Sequence, residues 1–236
     1  LGLQVVESIA WSPALGATLT FAIDGISLCF LLSTSALVPL ALLSARDEES
    51  VEDLAARILV TLTLESALLG TLVAANLLVF VPFWAATFVP ILLWLGRWGG
   101  LGRARAASRI WATESIGLAG LLFATFVLHE MSLVQFGAPT LDLVAPISGS
   151  DGRTLLDVRL EVDEQWTIFF AFALALATRL PIVPMHFWLP AAHAAAPAGL
   201  SILIATGFVQ TAAMGWMRFA LPLAPDAAAA AGPVLS

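Results

Sequence analysis

Apolar residues in this chain fall into six long runs, at about 26–45, 57–76, 77–96, 107–130, 165–186 and 199–221. A helix needs about 20 mostly apolar residues to cross the hydrocarbon core of a bilayer. Each run has that length, so the pattern predicts an all-α, polytopic membrane helix bundle of about six transmembrane helices. The fifth run is interrupted. Pro181, Pro184 and Pro190 fall near its end, and each removes a backbone donor that an uninterrupted helix needs. Residues 1–24 precede the first run, and the longest polar stretch, 131–164, separates the fourth from the fifth. Within it, Leu156 to Asp163 alternates apolar and charged residues, which predicts a short surface strand or hairpin.

Composition supports the membrane reading. The 236 residues are 60% hydrophobic and 11% charged, against roughly 25% charged in a soluble domain. The whole of 1–236 reads as one transmembrane domain. It opens on Leu1 rather than Met, without the basic start of a signal peptide, and we expect it to be a piece of a longer protein. Cys29 stands alone, so a disulfide or cysteine metal site within the chain is excluded. Phosphate-binding, dinucleotide, nucleophile-elbow and iron–sulfur motifs are absent, so no redox centre is expected here.

Every one of the ten basic residues is an arginine. A buried lysine can lose its proton; an arginine effectively cannot. The arginines also predict orientation. Arg46, Arg57, Arg97, Arg103, Arg105 and Arg109 flank two loops on one side, which the positive-inside rule makes cytoplasmic. Segment 1–24 and loop 131–164 then lie outside. Trp94, Trp98 and Trp111 would bracket the cytoplasmic loop as interface residues, with Trp166 at the outer start of the fifth run. With a net charge of −7, no basic patch for nucleic acid is expected.

Arg179 is the most costly residue in the pattern. It lies roughly 20 Å along the fifth run, past the bilayer centre, at about 1.5 Å per residue. A charge beside a broken helix at that depth is buried in protein or faces water; a side chain that snorkels to the interface is the alternative for it. The remaining deep charges are Glu114 and Glu65, and Glu114 has a depth comparable with Arg179. We expect a Glu114–Arg179 pair. Asp24 is expected to cap the first helix.

Arg179-Leu180-Pro181-Ile182-Val183-Pro184-Met185-His186-Phe187-Trp188-Leu189-Pro190-Ala191-Ala192-His193 resembles the broken seventh helix of the antiporter-like membrane subunits of respiratory complex I. The run Arg218-Phe219-Ala220-Leu221-Pro222-Leu223-Ala224-Pro225 resembles the subunit M type in particular. Ile23-Asp24-Gly25-Ile26-Ser27 and Asn76-Leu77-Leu78-Val79-Phe80 through Pro90 agree in order. The resemblance covers nearly the whole chain, corresponds to the family's third to eighth helices, and implies one half of an inverted-repeat transporter core.

That family implies a proton path through a fifth-helix glutamate, a seventh-helix lysine and an eighth-helix lysine. Ala85, Arg179 and Gln210 stand at those positions, and Ala191 replaces the aspartate after Trp-Leu-Pro. The scaffold is kept while the titrating groups are lost.

The candidate proton or ion path residues are therefore Arg179, His186, His193, Gln210, Glu114 and Glu65, with the helix break at Pro181, Pro184 and Pro190. His186 and His193 match family positions at the cytoplasmic mouth; a loop clasp is the alternative for them. A helix–helix contact is the alternative for Glu65. No catalytic residue, cofactor or metal is expected in this chain. NADH, FMN, iron–sulfur clusters and quinone would belong to partner subunits. The implied role is a membrane-arm subunit of a proton-translocating NADH:quinone oxidoreductase, or a related complex, with degenerate relay residues, in the inner membrane of a bacterium. A transport-inactive structural subunit, a cation/proton antiporter and a hydrogenase- or bicarbonate-linked relative stay open. Partners would be other membrane subunits and the lipid bilayer.

Overall fold

The computed structural model describes residue 3 and residues 5–12, 17–44, 50–144, 152–180 and 182–235. The expectations that involve Arg46 and Pro181 lie outside the described residues.

The chain opens with an antiparallel hairpin, β1 (Val5–Ser12) and β2 (Ala17–Ile23), pairing Val5 with Ile23 and Ile9 with Leu19. Asp24 then caps α1 (Gly25–Leu43): its carboxylate accepts from the Ser27 amide at 2.6 Å, and the Ser27 hydroxyl accepts from the Asp24 amide at 2.8 Å. This reciprocal box satisfies two backbone donors that a helix start leaves open. The expected cap is present.

α2 (Val51–Val73) returns antiparallel beside α1. The third run forms two helices, α3 (Leu77–Ala86) and α4 (Phe88–Trp98). The break at Thr87 follows from Pro90, whose ring excludes a normal bond to the carbonyl four residues earlier. α5 (Arg103–Phe136) has 34 residues, or about 51 Å at 1.5 Å per residue. It exceeds the expected run at both ends and is bounded by Gly102 and Gly137, at φ 83° and 73°, a region closed to most other residues.

No strand forms at 156–163. Leu155–Asp157 is a short 3-10 turn, and α6 (Val162–Ala177) begins after Glu161. Glu161 and Glu164 form a capping box, and Asp163 adds a second acid in the first turn. Acids at a helix N-terminus oppose its positive dipole end, which outweighs a brief alternating pattern. α6 ends at the break; a 3-10 turn, Met185–Trp188, leads into α7 (Leu189–Ala195). α8 (Ala198–Leu223) is continuous but holds two π turns, Ile204–Phe208 and Trp216–Ala220. α9 (Pro225–Leu235) follows.

Among the described residues, five segments are long and apolar enough to cross a membrane: Gly25–Leu43, Val51–Val73, Leu77–Trp98, Arg103–Phe136 and Ala198–Leu223. The broken fifth run packs its α6 half against α5.

The hairpin is fastened to one end of this bundle, called here the hairpin end. The buried Asp142 carboxylate accepts from the hydroxyls of Thr18 and Thr20 and from Asn76 Nδ2. Arg218, also buried, donates to the carbonyls of Leu72 and Ala74 at 3.0 and 2.8 Å and reaches Asp24 at 3.2 Å. It therefore ties the end of α2 to the start of α1. The fold buries Arg218 because α2 offers it carbonyls without amide partners. Trp94, expected at the interface, is instead a core residue that is 1% exposed, while Trp111 is 59% exposed.

Candidate functional site: a buried ion pair among broken helices

Arg179 follows the end of α6 and is 1% exposed. Its guanidinium meets Glu114 of α5: Nη2 lies 2.7 Å and Nε 3.0 Å from Glu114 Oε2. The expected pair is present. Nη2 also donates to the Trp84 carbonyl at 3.0 Å and to Thr87 Oγ1 at 2.7 Å, and Nη1 reaches Thr211 Oγ1 at 3.3 Å. The guanidinium carbon sits 3.5 Å from the Trp84 ring centroid and 4.3 Å from that of Phe208. A buried charge is tolerated when it is paired and its other donors are satisfied. Arg179 has a carboxylate, a carbonyl, two hydroxyls and two aromatic faces.

The partners come from irregular points in several helices. The Trp84 carbonyl lies at the α3–α4 break. Thr211 is a few residues beyond the first π turn of α8, a local widening that recurs at functional sites. Arg179 itself stands where α6 stops. Irregular backbone frees polar groups, and here those groups converge on one cation.

α5 must lie close to α6 for this to happen. A Cβ on Gly117 would come within 2.6 Å of Thr178 Oγ1, and one on Gly120 within 2.8 Å of the Ala171 carbonyl. Small residues let helix backbones approach. Gly117 is one turn from Glu114, and Thr178 adjoins Arg179, so the glycine contact sets the ion pair's register. Trp188 secures the other side of the break, with Nε1 2.7 Å from the Thr178 carbonyl and its ring 6.0 Å from that of Phe208. Trp84, Thr87, Thr211, Gly117 and Trp188 carry no charge, and sequence reasoning did not single them out for this site. The Pro90 signal and the small residues on α5 were the available clues.

The other expected site residues are placed elsewhere. Gln210 turns toward α1, with Nε2 2.7 Å from Ser33 Oγ and Oε1 accepting from Thr34 at 2.8 Å. Its neighbour Thr211 is the residue that reaches Arg179. Glu65 faces Ser35 of α1. His186 is exposed on the 3-10 turn and His193 half-buried on α7; neither is among the partners of Arg179 or Glu114. Pro184 precedes that turn, and Pro190 occupies the first turn of α7, a position that suits proline. Among the described residues, no three His, Cys, Asp or Glu side chains are grouped as a metal would require.

The chain has clear relatives. Residues 74–235 match the family model described as NADH:quinone oxidoreductase/Mrp antiporter, TM. NADH-quinone oxidoreductase subunit M of Rhodobacter capsulatus is 32% identical over 95% of this chain and 43% of its own length. F(420)H(2) dehydrogenase subunit M of Methanosarcina mazei is 30% identical, again over 95% of this chain and 43% of that protein. Among solved structures, a chain of respiratory complex I from Thermus thermophilus with bound NADH is 32% identical with a TM-score of 0.79, over 98% of this chain and 45% of that one. A chain of the Mrp complex from Dietzia has a TM-score of 0.74 at 20% identity, over 94% of this chain and 24% of that one, and shares the fold. The chain spans less than half the length of these relatives. It belongs to the NADH:quinone oxidoreductase/Mrp antiporter transmembrane family.

Proposed function

We propose that this chain is a membrane-arm part of a proton-translocating NADH:quinone oxidoreductase, or of a related complex with another electron donor. In this part of the subunit, the Glu114–Arg179 pair is a fixed charge lock rather than a proton carrier. One observation carries the reading: the cation at the α6 break is an arginine bonded directly to Glu114 and to three further oxygens. An arginine keeps its charge under all ordinary conditions. A site built around it holds helices in place and sets a local field, but residue 179 does not release a proton. Ala85, Gln210 and Ala191 fit this reading, since none can titrate.

In this proposal NADH, flavin, iron–sulfur clusters and quinone sit in partner subunits. The chain lies in a bacterial inner membrane, with the hairpin end outside.

The test uses the full-length protein in its assembled complex, reconstituted in vesicles, with donor-driven proton uptake as the readout. The variant replaces both charges, Glu114→Gln with Arg179→Gln, so that neither is left unpaired. The expected result is an intact complex with proton uptake per electron pair unchanged. A clear fall in that ratio with assembly intact would show that the pair takes part in transport.

A further inference from the structure

We propose that the Glu65 face of α1 and α2 is the docking surface for a membrane helix of a neighbouring subunit, and that this helix brings a lysine or arginine to Glu65. The proposal rests on the reading of the chain as one subunit among several, but not on whether ions move through its core.

Glu65 lies eight residues from Val73, the hairpin-end terminus of α2, or about 12 Å at 1.5 Å per residue. Ser35, which faces it, lies ten residues from Gly25, or about 15 Å on the same count. A hydrocarbon core of about 30 Å puts both near its centre. Glu65 is only partly buried, and Ser35, Thr63 and Ser66 beside it are exposed on the flank of the bundle. Around them that flank is apolar: Leu28, Leu32, Leu40, Ile58, Leu59 and Leu62 are all exposed. A half-exposed carboxyl group at mid-membrane facing lipid chains is expensive and calls for a partner.

Ser35 is a polar neighbour of Glu65 among the described residues, and it carries no charge. Among the described residues, Glu65 forms no ion pair. The chemistry of the patch specifies what fits. Thr63 and Ser66 donate their hydroxyl hydrogens to the carbonyls of Leu59 and Leu62, both at 2.8 Å. Ser35 is turned to Glu65 itself. The surface therefore offers acceptors: a carboxylate and hydroxyl oxygens. Its complement is a donor-rich group on a helix, and a cation best matches the carboxylate. The polar groups on the inward side of α1 are already used, since Ser33 and Thr34 bond Gln210. Glu65 thus has no role in that inward network to account for it.

The test treats the full-length protein in its native membranes with dicyclohexylcarbodiimide, a hydrophobic carboxyl reagent. Modification of Glu65 is read by peptide mass spectrometry, in the membrane and again after the assembly is dispersed to single subunits in detergent. Labelling is expected to be roughly tenfold lower in the intact assembly, a difference of about 1.4 kcal/mol in protection. Equal labelling in both states overturns the proposal. Protection that persists in the single subunit also overturns it, because the protein's own remaining length then covers the face. A Glu65→Leu variant should fold with an unchanged melting temperature and lose a neighbouring subunit on native gels; retention of every neighbour is a second refutation. If native gels of parental membranes show the protein alone, the membrane-arm reading itself fails, a result distinct from labelling within an assembly.

Discussion

Glu114 and Arg179, 65 positions apart, meet at 2.7 Å in a site where both side chains are almost fully enclosed. Burial makes the pair more a matter of necessity than of gain. Two buried charges that satisfy each other contribute little against an apolar pair of the same size, but one without the other is costly.

Removing one charge should therefore be worse than removing both. Glu114→Leu leaves the Arg179 guanidinium without its carboxylate and should cost about 3–5 kcal/mol. Glu114→Leu with Arg179→Met should recover much of that. Melting temperatures of the purified protein in detergent check the order; a double variant less stable than the single would contradict it.

Arg179→Lys keeps the charge but not the geometry. An ammonium offers three donors from a single point and cannot span Glu114, the Trp84 carbonyl, Thr87 and Thr211 together. Loss of one or two bonds to these groups should destabilise by about 1–3 kcal/mol, measured by the same melts. Stability equal to the parent would mean that the outer hydroxyls do not contribute.

Gly117→Ala should press on Thr178, whose Oγ1 lies 2.6 Å from the new methyl position. Overpacking of this kind costs about 1–3 kcal/mol. Thr178→Ala removes the atoms in the way, so the double variant should recover part of the loss. No recovery would point to backbone contacts, such as the Ala175 carbonyl at 3.2 Å, as the limiting ones.

At the hairpin end, burial raises the Asp24 carboxyl pKa, but the Ser27 amide and the Arg218 guanidinium bonded to it outweigh that and hold it below its usual 3.8. A carboxyl with a depressed folded-state pKa adds stability that is present above the unfolded value and lost as pH falls through the folded one. The stability gap between parent and Asp24→Asn should be constant near neutrality and shrink below about pH 4. Melts across that range check it; a gap that widens in acid would reverse the sign.

Much of the fold was legible in the sequence because a bilayer selects apolar length so strongly. The runs at 26–45 and 199–221 map onto α1 and α8 within a few residues. The hairpin Val5–Ile23 was not anticipated: two short strands have no membrane-length signal, and what fixes them is long-range. Thr18 and Thr20 bond Asp142, more than 120 positions away. The strand expected near residue 160 gave way to α6 because the Glu161–Glu164 cap overrode a brief alternation. For the site, Glu114 and Arg179 could be paired in advance from depth and sign alone. Trp84, Thr87, Thr211 and Trp188 could not, since each contributes a carbonyl, a hydroxyl or an indole N–H whose direction depends on a helix break.

The sequence alone determined that this chain crosses a membrane several times, that its fifth crossing is broken, and that its deep cation cannot titrate. Those facts rest on residue type and spacing, which are local. Only the tertiary structure decided what surrounds that cation and which acid is left uncovered. Gly117 and Gly120 let α5 approach α6, which encloses Glu114 with Arg179. Glu65, on α2, is turned to the flank with Ser35. The two carboxylates are alike in sequence; helix packing pairs one inside the bundle and leaves the other facing outward.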